Sequence, residues 1–91
     1  MEQTITKESL KKMQLHQIAL IIKKDWLKTS KSGIYFGAKP YIEAMQTLNT
    51  IEDNYVFDSG RTIVVYFLGN AATWKGETAK LVKAHLKELI K

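Results

Sequence analysis

The chain has 91 residues, 45% of them hydrophobic and 25% charged, a composition that indicates one ordered globular domain over residues 1–91. The absence of cysteine excludes disulfides and cysteine-ligated zinc, and no apolar run approaches the roughly 20 residues of a membrane-spanning helix. The net charge of +5 favours an anionic partner, nucleic acid or an acidic protein surface, and we expect a cytoplasmic protein that does not bind membranes.

The positive charge is concentrated at the two ends of the chain. Residues 1–31 carry seven lysines against three acids, and residues 73–91 carry five lysines against two acids. The middle, residues 32–72, has two basic residues against four acids. Thirteen of the fourteen basic residues are Lys. Because Arg is the usual residue for bidentate contacts to bases and phosphates, its scarcity argues against sequence-specific recognition.

The first periodic segment predicts a helix over residues 7–28. Thr6 suits its N-cap, and Glu8 in the first turn faces the positive end of the helix dipole. Hydrophobic residues at three- and four-residue spacing form one face: Leu15, Ile18, Ala19, Ile22 and Trp26. Others lie on further sides, which predicts a central helix packed on more than one side. Residues 28–33 then predict a loop.

Two further helices are predicted in the middle of the chain. Pro40 marks the start of the second, because its missing N–H is not needed in a first turn. The third is predicted over residues 59–68, with Asp58 as its N-cap. Residues 62–67 (TIVVYF) are rich in β-branched and aromatic side chains, which also favour a strand. We favour a helix because a lone strand cannot satisfy its backbone groups, and no second strong strand is present.

The carboxy-terminal segment has the clearest helical pattern, over residues 74–90, with Thr73 as the predicted N-cap. The apolar face of this helix contains Leu81, Val82, Leu86 and Leu89. The opposite face carries Lys80, Lys83, Lys87 and Lys91, at spacings of three, four and four. The chain is therefore predicted to be all-α, a small bundle of three to four helices with short connections.

The lysine face of the last helix is the main candidate for a nucleic-acid-binding surface. The candidate residues are Lys75, Lys80, Lys83, Lys87 and Lys91, which could follow a row of phosphates. The turn at residues 69–73 also suits a helix-turn-helix arrangement, with Trp74, Lys75 and Thr78 at the start of the recognition helix. The alternative is a solvated helix face, where Lys serves solubility and helix propensity.

Aromatic side chains offer a second candidate surface. Most of them are expected to form the core of a small bundle. Tyr35, Phe36 and Trp74 at the surface would mark an interface with another protein or with a second copy of the chain. Arg61 could bind a phosphate or a carboxylate of the partner, and its structural alternative is a pair with a nearby acid.

Three stretches resemble small proteins, mostly uncharacterised, of bacteriophages and other bacterial mobile elements. They are residues 35–41 (YFGAKPY), residues 58–61 (DSGR), and residues 66–71 (YFLGNA) leading to residues 74–79 (WKGETA). Together they lie within residues 35–79, about half of the chain. The resemblance implies an origin in a mobile element and a helical fold, and it brings no activity with it.

No catalytic motif is present, since a Walker A loop, a GxSxG elbow and an HExxH pattern are all missing. His16 and His85 belong to no HExxH or similar metal-binding pattern, so we expect no metal, no cofactor and no catalytic residue. Two hypotheses follow. The first is a non-enzymatic phage or mobile-element accessory protein that binds nucleic acid through its basic helical surface. The alternative is a protein-binding regulator or inhibitor of a host or phage enzyme, such as a counter-defence protein.

Overall fold

The computed structural model describes residues 5–91, which form five α-helices and one short hairpin. In chain order these are α1 (Lys7–Lys11), α2 (Leu15–Thr29), α3 (Lys39–Met45), β1 (Asn54–Tyr55), β2 (Asp58–Ser59), α4 (Gly60–Gly69) and α5 (Glu77–Leu89). This part of the chain is mostly helical, as predicted, but the hairpin means that it is not purely α. None of the described helices is long and apolar enough to cross a membrane.

The single helix predicted over residues 7–28 is two helices, because the start of α2 is tied to a distant loop. The first amides of a helix have no carbonyl within the helix to bond. In α2, the Leu15 and His16 amides donate to the carbonyls of Asn49 and Leu48, each at 2.9 Å. Periodicity along one segment cannot reveal this break, because its cause lies more than thirty residues further along the chain.

The starts of the other helices follow local side-chain chemistry. Thr6 caps α1 as predicted, its hydroxyl accepting a hydrogen bond from an amide of the first turn. Pro40 lies in the first turn of α3, also as predicted. α4 is a helix, so the preference for helix over strand is confirmed. The predicted N-cap Asp58 is wrong, because the Ser59 hydroxyl accepts from the Thr62 amide at 3.2 Å and caps the helix instead.

β1 and β2 form an antiparallel hairpin whose tip is Val56 and Phe57. Val56 has a φ of 56°, a left-handed conformation that costs a β-branched residue on the order of 1–3 kcal/mol. Phe57 is 97% exposed, the most exposed of the large hydrophobic side chains described. The sequence predicts no strand here, since two-residue strands are too short to show an alternating pattern and the tip contains no Gly or Asn.

α2 is the central helix, as predicted, and packs against both α3 and α5. α4 packs on α3 and α5, and α1 packs on α5. The predicted inner face of α2 is entirely buried, comprising Leu15, Ile18, Ala19, Ile22 and Trp26. This arrangement joins helices from both ends of the chain around one hydrophobic core.

Three aromatic rings occupy the middle of that core. The rings of Trp26 and Trp74 are stacked, with centroids 5.8 Å apart and planes 13° apart. Phe67 meets both rings edge-on, at 6.4 and 6.3 Å. The Trp74 indole N–H donates to Asp25 Oδ2 at 2.9 Å. The Trp26 indole N–H is buried without a hydrogen-bond partner among the described residues.

The position of Trp74 overturns two predictions. Its side chain is fully buried, so it does not belong to an exposed aromatic surface. Trp74 lies in the loop before α5, where the backbone places its ring in the core. The helix α5 therefore begins at Glu77 rather than at residue 74. The N-cap is Gly76, not Thr73. The φ of 115° at Gly76 is a backbone conformation that other residues rarely adopt.

Candidate nucleic-acid interface

Four of the five lysines predicted to bind nucleic acid line one groove beside α5, with a volume of about 410 Å³. They are Lys75, Lys80, Lys83 and Lys87. The remaining lining residues are Trp74, Gly76, Ala79 and Ala84, so no carboxylate of the described chain lines the groove. The fifth lysine, Lys91, lies outside this lining and pairs with Glu88 at 3.3 Å. The groove is therefore a concentrated patch of positive charge.

The groove runs beside the buried face of α5, and Ala79 lies at the edge where the two meet. Ala79, Val82 and Leu86 are buried, and they fix which face of the helix points inward. The lysines at three- and four-residue spacing then lie together along one flank of the helix, next to that buried face. Lys75 comes from the loop before α5, which turns at Gly76 and brings this side chain alongside the helical lysines.

Lys83 is the most constrained lysine of the groove. Its Nζ donates to the Trp74 carbonyl at 2.6 Å and lies 5.9 Å from the centroid of the Trp74 ring. Burial lowers the pKa of Lys83 from its ordinary value, and the charges of Lys87 and Lys75 lower this pKa further. These ammonium groups repel one another in the free protein. A bound anion would relieve that repulsion, which is the electrostatic pattern of many binding sites.

Arg61 has a structural role. Its Nη1 donates to the Ile90 carbonyl at 2.6 Å. Ile90 is the C-cap of α5, so the guanidinium lies at the negative end of the helix dipole. The expected pair with a nearby acid is not formed by Asp53, whose carboxylate instead accepts from the Asn49 and Thr50 amides. Partner binding by Arg61 stays a prediction.

Tyr35 and Phe36 are exposed, as the interface hypothesis requires, with 44% and 76% of their surfaces accessible. Their rings are in tilted contact, with centroids 5.0 Å apart. Trp74 does not join them, because it belongs to the core. Phe57 is the most exposed of the large hydrophobic side chains described, and it was not predicted as a contact residue. Its exposure depends on a hairpin that the sequence pattern does not reveal.

His85 is packed at the edge of the apolar face of α5, 6% exposed, in agreement with a packing role for this residue. Burial lowers the pKa of His85 from its ordinary value of 6.5, and the Lys11 ammonium lowers it further. Among residues 5–91, no three or more His, Asp or Glu side chains are grouped so that they could hold a metal ion.

We expect the stability of the protein to fall as the pH drops below 6.5. The unfolded chain binds a proton at residue 85 more readily than the folded chain, so stability rises with pH in this range and is lost on acidification. One proton accounts for at most about 1.4 kcal/mol per pH unit. Urea denaturation between pH 7.5 and 5.5 should show this slope for the wild type and a flatter slope for His85→Gln. Identical slopes would contradict the assignment.

Comparisons with protein-family models, with curated proteins and with solved structures found no match to this chain.

Proposed function

We propose that this is a non-enzymatic accessory protein, of a phage or other mobile element and acting in the cytoplasm, that binds the phosphate backbone of nucleic acid in the lysine groove. The observation that supports the proposal is the convergence of four lysines on one groove that no described carboxylate lines. Such a groove attracts polyanions over distance and releases their condensed counterions on contact.

Backbone binding fits the groove better than reading of bases by a recognition helix. The helix-turn-helix hypothesis placed Trp74 at the start of a recognition helix, but this side chain is buried before α5 begins. The charged lining consists of lysines along the flank of α5, which contact phosphates as point charges and carry little base specificity. We therefore expect binding that tolerates many sequences.

Binding should weaken steeply with salt, because each neutralised phosphate releases a counterion. For three to four phosphates on duplex DNA, the log-log slope is about −2.7 to −3.6, or a loss of roughly 40- to 150-fold between 50 and 200 mM salt. Fluorescence anisotropy of a labelled 20-base-pair duplex, titrated with protein at several potassium chloride concentrations, measures this slope. Failure of both this duplex and a single strand of the same length to bind at 50 mM salt, or binding that does not change with salt, would overturn the proposal.

A second candidate function, regulation of another protein through direct contact, is supported by the hairpin tip. Val56 is strained and 74% exposed, and Phe57 is 97% exposed. The surrounding segment, residues 40–60, contains four acids and no Lys or Arg. Phosphates would be repelled here, whereas an apolar protein pocket with a basic rim would be attracted. This function would depend on Phe57 and not on the groove lysines.

A further inference from the structure

The molecule presents two exposed aromatic surfaces in opposite electrostatic surroundings. The hairpin tip with Phe57 lies within the acidic middle of the sequence. The pair formed by Tyr35 and Phe36 lies within residues 26–42, which contain three lysines and no acid. A polyanion would therefore meet the second aromatic surface more readily than the first.

The Tyr35 ring packs against the backbone at Gly37, in the space that a side chain there would occupy. A Cβ at Gly37 would lie 2.6 Å from Tyr35 Cε2 and 2.8 Å from Asn70 Oδ1, so a side chain at this position would displace both groups. The Asn70 side chain is itself fixed, since its Nδ2 donates to the Tyr66 carbonyl at 2.9 Å. Tyr35 is thus positioned before any ligand arrives, which lowers the entropic cost of stacking on it.

This aromatic surface adjoins the lysine groove through one short loop. A depression of about 280 Å³ is lined by Tyr35, Gly69, Asn70, Ala72 and Thr73. The same loop continues directly into Trp74 and Lys75, which line the groove. Two residues of extended chain span at most about 7 Å, so Thr73 at the rim of the depression is close to Lys75 at the rim of the groove.

We propose that the nucleic acid bound by this protein is single-stranded, an inference that rests on the proposed function. Its phosphates would lie in the lysine groove, and one unpaired base would stack on Tyr35 and Phe36. In a duplex the faces of the bases are covered by their neighbours, whereas a single strand can present them to aromatic side chains. Stacking tolerates any base, which agrees with a groove whose charged lining residues are all Lys.

The test compares two labelled probes, a 20-nucleotide oligothymidine and a 20-base-pair duplex, by fluorescence anisotropy at the same salt concentration. The wild type should bind the oligothymidine more tightly. The double variant Tyr35→Ala, Phe36→Ala should lose roughly 5- to 150-fold in affinity for the single strand, the range for stacking one base, and keep its affinity for the duplex. Phe57→Ala removes an aromatic ring that is more exposed than either of these but lies among acids, and it should match the wild type.

Phe36→Leu provides a second variant that keeps apolar bulk without an aromatic face, at a side chain that is 76% exposed. It should also weaken single-strand binding, while circular dichroism shows the wild-type helix content. Unchanged oligothymidine affinity in both variants would overturn the stacking site, and so would equal wild-type affinity for the two probes. If neither probe binds at 50 mM salt, the proposed nucleic-acid function fails as a whole.

Discussion

Reversing the charge of two groove lysines, Lys80→Glu together with Lys87→Glu, is expected to reduce nucleic-acid affinity by roughly a hundredfold or more at 50 mM salt. Both side chains are exposed and line the groove, and neither forms an ion pair with an acid of residues 5–91. Each substitution removes one phosphate contact and adds a repulsive carboxylate. Anisotropy titrations of the same oligonucleotide with wild type and variant provide the measurement.

Lys83 is deliberately left unchanged in this variant. Its ammonium bonds the Trp74 carbonyl, so a substitution there would disturb the loop before α5 as well as the charge. The matched control is Lys12→Glu together with Lys23→Glu, which changes the net charge equally at exposed positions outside the groove. The control should lose far less affinity. If both double variants lost it equally, only the overall charge would matter and the groove would have no special role.

The parts of the fold that the sequence predicted well are those set by local pattern. The inner face of α2 and the start of α1 at Thr6 follow from side chains within a few residues of one another. The lysine groove was also largely predictable, because helical spacing alone places Lys80, Lys83 and Lys87 on one flank. Its fourth member, Lys75, joins from the loop before α5.

The parts that sequence could not predict depend on contacts between distant segments. The division of the first predicted helix requires carbonyls from Leu48 and Asn49. The place of Trp74 requires Trp26, Phe67 and Asp25 to surround it. In a sequence, an aromatic residue next to a lysine gives the same pattern whether its ring contacts a partner or packs in the core. Only its burial in the structure distinguishes these two roles.

Trp74→Ala is expected to cost roughly 3–5 kcal/mol of unfolding free energy, a large part of the 5–15 kcal/mol typical of a whole domain. The substitution removes a fully buried ring, its stack on Trp26 and the hydrogen bond to Asp25. Trp74→Phe should reduce the free energy of unfolding by less, because an aromatic ring remains in the core. The cost that remains comes from the smaller ring and the lost N–H donor to Asp25. Urea denaturation followed by far-UV circular dichroism, and by the fluorescence of the remaining Trp26, measures both.

The same variant separates the two interpretations of Trp74. If Trp74 were a residue of a recognition helix, the Trp74→Ala variant would lose nucleic-acid binding, and its free energy of unfolding would stay unchanged. Because Trp74 is buried, we expect the variant to lose stability instead. Its nucleic-acid binding should weaken only as far as the fold and the contact between Lys83 and the Trp74 carbonyl are disturbed. Phe57→Ala is the matched control, because the Phe57 ring is 97% exposed. This substitution should change the free energy of unfolding by less than about 0.5 kcal/mol. Equal costs for the two substitutions would contradict the three-ring core.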